Sequence, residues 1–418
     1  MGRYRFSGLI IILNNIYMKN QRLTIYLGVL LLCVSLFTGC AKVEYTAIAE
    51  PAYLRVFNNL NYIQTLGSKD DKVPYFCMLI NPKFSASGAI TGAEIVGDFL
   101  DKRAAYAPPY PSHIGNSTTV DNPEYPGKEN VLVGPILNGF DLSSWAQVPS
   151  GELRIVFAYR PKNTIPFFEL ESHLQTDILI DTVINLTSKE VYTLHLLQKD
   201  FVTKAHGLLL RQENFHKLPL SDSLVYVNFY NMSAKGFVDA DLSLKDDDYV
   251  LRSFKNGIKD EMNIFLSLYE SQDNPILQSP TVTGYKGKFL TRLTRNSTSA
   301  TVSPYMSFPL WASSKSNGIQ TDIWQRFDFF SPGMDITNNP FFSGEIATGG
   351  NWASVNCLKN GKVFLGGSDN GTQLPNLLVN VHSGTHNPQT FATVNTLEVV
   401  NGRIYLTTIQ RKYAPPIY

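Results

Sequence analysis

Alternation of apolar and polar side chains with a period of two runs through most of this chain, the pattern of strands with one face buried. "AYLRVFNNL", residues 52–60, alternates in this way and ends in asparagines, which predicts a strand entering a turn. "YFCMLINP" and "EIVGDFL" predict further strands. In "WAQVPSGELRIVFAYR", residues 145–160, a turn at Pro149, Ser150 and Gly151 precedes Leu153, Ile155 and Phe157 on one strand face. "DILIDTVINLTSKEVYTLHLLQ", residues 177–198, predicts a strand, a turn over Thr187, Ser188, Lys189 and Glu190, and a second strand. That second strand sets Val191, Thr193 and His195 against Tyr192, Leu194 and Leu196 on its other side. Three consecutive strands with short turns predict a meander.

A second beginning occurs at "SLVYVNFYNMS", residues 223–233, which repeats the leader's order of aromatic, apolar, polar, apolar, aromatic and asparagine. It follows a polar stretch and puts a domain boundary near residue 218. "MNIFLSLYE" predicts another strand, and "GKVFLGGSDNG", "LLVNVHSG", "TVNTLEVV" and "GRIYLTTIQRKY" predict the closing ones. Asn401-Gly402 is a hairpin signal between the last two, because both turn positions require positive φ. No long stretch has the spacing of an amphipathic helix. Residues 105–129, rich in Pro, Gly, Ser and Asn, have no period and predict a long excursion between strands.

The 418 residues carry 36 Lys and Arg against 35 Asp and Glu, a net charge of +1 that offers no broad field for nucleic acid. Charged residues are only 17%, while 21 Tyr and 25 Phe favour sheet. The expected fold class is all-β, with two immunoglobulin-like β-sandwich domains.

Ahead of these domains, "LTIYLGVLLLCVSLFTG" forms an apolar run after Lys19 and Arg22 and stops at Cys40. The position of Cys40 resembles the lipobox of bacterial lipoproteins, in which the signal is cut before the cysteine and that cysteine is acylated. The first 17 residues read as upstream of a conventional start at Met18. The expected organisation is therefore a mis-assigned start and signal peptide over 1–39, a tether over 40–51, a sandwich with a long insertion over 52–217, and a second sandwich over 218–418. Lipid on Cys40 would hold the chain on a membrane, as an outer-membrane lipoprotein facing the periplasm or the cell surface. Cys77 and Cys357 are either one bridge, if their regions meet, or two buried thiols.

The leader strand, the "VPSG" turn, the "ELRIVFA" strand and "DTVINLTSKEVYTLHLL" resemble the domain-of-unknown-function family 4397 of Bacteroidota lipoproteins and other secreted bacterial proteins. The resemblance covers residues 52–60 and 145–198. It implies an immunoglobulin-type sandwich and a cell-envelope role, with no established activity or catalytic residues.

Little in the sequence points to chemistry. His382 and His386 are four apart but flank Gly384 and precede Pro388, so the helical metal-pair spacing has no meaning there. Asp239, Asp241, Asp246, Asp247 and Asp248 crowd one segment, a weak calcium candidate without the ordered ligand spacing of a helical calcium loop. Glu169 and Glu171 could share a strand face, yet no catalytic frame surrounds them. Aromatic residues offer more: Trp311 and Trp324, and Tyr106, Tyr110 and Tyr125 in the excursion, are candidate binding residues, since exposed rings stack on sugars or anchor protein interfaces. The expectation is a non-catalytic binding or adhesion lipoprotein, without cofactor, for a glycan or an envelope protein. The alternatives are an assembly subunit of a fimbria-like complex and, more remotely, a glycan hydrolase.

Overall fold

The computed structural model describes residues 47–60, 66, 72–103, 124–222, 224–241, 259–270, 281–309, 323–333, 353–359, 362–364, 374–380 and 392–411. These are all-β, and helical structure among them is confined to short 3-10 turns. Ten strands come from the first half: β1 (Ala52–Asn58), β2 (Phe76–Phe84), β3 (Ile90–Leu100), β4 (Ile136–Leu137), β5 (Phe140–Asp141), β6 (Ala146–Val148), β7 (Gly151–Tyr159), β8 (Ile178–Leu186), β9 (Val191–Gln198) and β10 (His206–Glu213). The second half supplies β11 (Leu224–Asn231), β12 (Glu261–Glu270), β13 (Lys288–Thr294), β14 (Met306–Pro309), β15 (Ile323–Phe330), β16 (Ala353–Lys359), β17 (Lys362–Phe364), β18 (Leu374–Asn380), β19 (Thr393–Val400) and β20 (Arg403–Gln410).

The strands pair as two stacked sheets in each half. In the first, the order β10-β9-β1-β6 faces β3-β2-β7-β8; in the second, β20-β19-β11-β14 faces β13-β12-β15-β18-β16-β17. The two paths are the same. Each half opens with a strand that lies parallel to a late one, β1 on β9 and β11 on β19, and antiparallel to a short one, β6 or β14. The halves differ by insertions: the β4–β5 hairpin in the first and the β16–β17 pair in the second. Each pair of sheets encloses its own core. Leu54, Val56, Met78, Phe157 and Leu194 fill the first, and Val227, Phe229, Ile264, Phe327 and Leu397 the second.

The expected meander does not form. β7 and β8 pair antiparallel, but the turn after Leu186 carries the chain across to the opposite sheet, where β9 joins β1 instead of β8. The reason lies in burial. From Val191 to Leu197 every side chain of β9 is buried, because the strand has a core on one face and the other half of the molecule on the other. A strand edged against solvent could not satisfy that. Glu169 and Glu171 also leave the expected strand: Pro166 starts a 3-10 turn at Phe167–Glu169, with Phe167 and Leu170 packed on the outer face of β2 and β7 and both carboxylates exposed. The expected hairpin at Asn401-Gly402 forms, with φ of 47° and 82° at its two central residues, and joins β19 to β20. A second hairpin of this kind, Asn138-Gly139 between β4 and β5, was equally visible as an Asn-Gly pair between apolar residues.

Candidate functional site

The outer faces of β1, β9 and β10 pack on those of β19 and β20. Both ends of this seam are apolar. At one, Tyr53, Trp145, Val191 and Phe215 meet Val394 and Ile409; at the other, Leu197 and Leu209 meet Tyr230, Val400 and Tyr405. Between them lies a band of buried charge. Glu398, on β19, receives Arg103, Arg211 and His195 from the first half: Arg211 Nη2 lies 2.7 Å and His195 Nε2 3.4 Å from its Oε1, and Arg103 pairs with Oε2. Arg103 also donates to the Thr407 hydroxyl at 2.9 Å, and Arg211 Nε donates to Glu213 at 2.9 Å. Aromatic faces complete the setting, with Arg103 3.9 Å above the Phe57 ring and Arg211 4.1 Å above Tyr230.

Burial by itself would raise the Glu398 carboxyl, but Arg103, His195 and Arg211 hold it well below the usual carboxylate range. Burial lowers His195 despite the pull of Glu398, so its imidazole resists protonation. Its Nδ1 lies 3.0 Å from Asn59 Oδ1. This arrangement suits a fixed joint: charges without water are held by one another, and parting the halves would strand them.

The same band anchors the neck of the excursion. On its near side, Lys102 bridges to Asn58 in β1, the Arg103 amide donates to the Asn58 carbonyl, and the Arg103 side chain enters the seam. On its far side, Tyr125 bridges to Val56 through two backbone hydrogen bonds, and Glu124 forms a buried pair with Arg55, whose Nε donates at 2.7 Å. Both ends of 104–123 are thus fixed on a single strand, two residues apart, about 7 Å at the rise of a strand. Beyond the neck, Glu129 accepts from the Asp98 amide at 2.9 Å, and burial with Asp98 nearby raises its carboxyl to about 7.

The residues singled out from sequence divide unevenly. Tyr125 is a correction, because its ring is buried in the first core beneath Gly97, where a Cβ would come within 2.8 Å of it; it packs the neck and presents no face to a ligand. Trp324 lies on β15, opposite Tyr269 of β12 and Asn380 of β18. Asp239 and Asp241 are exposed, and among the described residues no group of three His, Cys, Asp or Glu is placed to hold a metal. Cys77 is a buried free thiol, its acidity weakened chiefly by burial, and Cys357 lies on β16 opposite Phe364. Cys40, Tyr106, Tyr110, Trp311, Asp246, Asp247, Asp248, His382 and His386 fall outside the described residues.

Arg55, Arg103, Arg211 and Glu398 escaped the sequence reading. Two of them carried a signal: the lone charge in "YLRVF" and in "TLEVV" stands where a strand has apolar neighbours on both sides. Such a charge is either on a wet face or paired in a dry one. A scan against protein-family models finds no match to the chain, and a search of curated proteins finds none.

Proposed function

We propose that this chain is a lipid-anchored, non-catalytic binding or adhesion protein of the bacterial cell envelope, tethered through Cys40, with immunoglobulin-like sandwiches of the family 4397 kind. In this reading the paired halves are a rigid stand, and the excursion at 104–123, with Tyr106 and Tyr110, is the binding element for a glycan or an envelope protein. The observation that carries the reading is the neck: a long segment rich in Pro and Tyr leaves and re-enters one central strand, and each end is tied down by a buried ion pair. Loops whose ends are close and fixed are a common way to present contact residues from a stable scaffold. The same neck is absent from the second half, where the corresponding link from β13 to β14 is short. The apolar run ending at Thr-Gly-Cys supports the anchor.

The test is a glycan array with the chain from Cys40 onward, beside a pull-down from detergent-solubilised membranes, each repeated with Tyr106→Ala/Tyr110→Ala and with Trp311→Ala. Saturable binding lost in the tyrosine variant supports the reading. Binding that survives it but fails in Trp311→Ala moves the platform to the second half. A blank array with a stoichiometric envelope partner retained by all variants replaces it with the assembly-subunit reading.

A further inference from the structure

His195 lies in the charged band of the seam, fully buried, with its ring stacked on Phe57 at 5.7 Å. Each of its two nitrogens faces an oxygen. Asn59 Oδ1 of the first half lies 3.0 Å from Nδ1, and Glu398 Oε1 of the second lies 3.4 Å from Nε2. Two acceptors fit a ring that carries two N–H groups, the imidazolium. A neutral ring has one N–H and one lone pair, so one of its nitrogens would meet an oxygen with no proton between them. The surroundings nonetheless oppose the charged ring: burial first, then Arg211 on β10 and Arg103 at the neck, against the pull of Glu398 on β19. Beyond these lie Glu213, which accepts from Arg211, and the rings of Tyr230 on β11 and Tyr405 on β20, which lie against Arg211 and Arg103.

Of the two groups that face the ring, one can change its role. Glu398 is shared with Arg103 and Arg211 and stays a carboxylate, which can only accept. Asn59 ends in an amide, whose donor and acceptor exchange places by a half-turn about its last side-chain bond. The two atoms are of nearly equal size, so the turn needs no added room. Nor is it held from the other side, because Asn59 Nδ2 is buried without a hydrogen-bond partner. The backbone stays in place, with the Asn59 amide donating to the Leu196 carbonyl at 3.0 Å.

We propose that Asn59 and His195 form a proton-coupled switch inside the seam, in which the side-chain amide of Asn59 turns as His195 gains or loses its Nδ1 proton. In acid the charged ring donates from Nδ1 to Asn59 Oδ1 and from Nε2 to Glu398. When the Nδ1 proton leaves to solvent, the ring keeps Nε2–H on Glu398, and Asn59 Nδ2 turns to donate to the bare Nδ1. Both ring nitrogens stay bonded in either state. The seam thus changes its charge by one with pH while the halves stay joined.

The test is a pH titration of the full chain in detergent by NMR, with nitrogen-15 in its histidines and asparagines and with His195→Gln and Asn59→Asp to assign the two side chains. The neutral His195 ring should carry its proton on Nε2, and the Asn59 side-chain amide should shift with the same midpoint as the ring. Asn59→Asp can only accept while ionised, so it should hold the Nδ1 proton and raise the proton affinity of His195 at least about tenfold. The tautomer and the shared midpoint are read in the unaltered chain, so they stand even if a variant does not fold. A neutral ring protonated on Nδ1 overturns the switch, as does an Asn59 amide indifferent to the titration of His195. So does a ring that keeps one charge state at every pH at which the chain stays folded, or a proton affinity unchanged in Asn59→Asp.

Discussion

The two halves follow one strand path but close it with different residues. At the exit of the leader strand the likeness reaches single atoms. Asn58 Nδ2 donates to the Pro74 carbonyl at 2.8 Å while its Oδ1 accepts from the Leu60 amide at 3.0 Å; Asn231 Nδ2 donates to the Lys259 carbonyl at 2.9 Å while its Oδ1 accepts from the Ser233 amide at 3.2 Å. The next strand returns alike in both, through parallel bridges of Asn58 to Lys102 and Asn231 to Arg295. At the seam the likeness ends. His195 and Glu398 occupy matching places on β9 and β19, yet one is an imidazole whose protonation burial opposes and the other a carboxyl held in its charged form. Matching residues that differ in charge let the two faces pair with each other where identical faces would set like groups together. Backbone satisfaction repeats; recognition between the halves does not.

The seam is where this comparison breaks most easily. Glu398→Ala would leave Arg103 and Arg211 buried without their shared acid, and should cost about 3–5 kcal/mol in urea unfolding. A loss below about 1 kcal/mol would mean that the charges are incidental to the joint. Because its folded pKa is depressed, the contribution of Glu398 is complete above the unfolded value and fades as pH falls through the folded one. The penalty of the substitution should therefore shrink in acid.

Among the described residues the neck belongs to the first half, and it has its own pH signature. The Glu129 carboxyl rises from an ordinary 4.5 to about 7 on folding. Between these values the folded chain holds the extra proton, so stability from this group is fullest below about 4.5 and is lost as pH rises through 7. Glu129→Gln still has an oxygen for the Asp98 amide and escapes ionisation. It should gain about 2 kcal/mol over the unaltered chain at pH 8 and nothing at pH 4, in denaturant titrations at both.

The asparagines sharpen the likeness. Asn58→Ala and Asn231→Ala should each lose about 1–3 kcal/mol, since each removes a donor and an acceptor from buried backbone partners. Their effects should agree within about 0.5 kcal/mol in the same unfolding assay; a larger gap would show that the matching bonds do unequal work. The smallest effect is expected at the loops that join the last two strands of each half. Gly402, at φ 82°, should cost about 1 kcal/mol when changed to Ala, whereas Lys204, at φ 60° in the longer link after β9, should gain a few tenths when changed to Gly.

Local pattern was enough for much of this fold. The strands at 52–58, 151–159, 178–186 and 191–198, the type of turn at Asn401-Gly402 and the repeat of the leader at 224–231 are all written in nearest neighbours, because alternation and positive-φ residues act over a few positions. The partner of a strand is not local. β9 had the right faces in sequence and the wrong neighbour, since nothing within "VYTLHLL" tells whether the sheet beside it holds β8 or β1. Tyr125 failed for a related reason: a tyrosine in a segment rich in proline reads as exposed until the close approach of Gly97 buries it.

The candidate site shows the division most clearly. By itself the sequence determined that this is a chain of strands, with an apolar leader ending at Cys40, a near-neutral charge and a long excursion in its first half. Tertiary structure alone decided that the excursion's ends share one strand, and that Arg103, Arg211 and His195 converge on Glu398 across hundreds of residues. Charge in a sequence carries a sign but no depth. Only folding decides which charges lose their water, and those are the ones that must find each other.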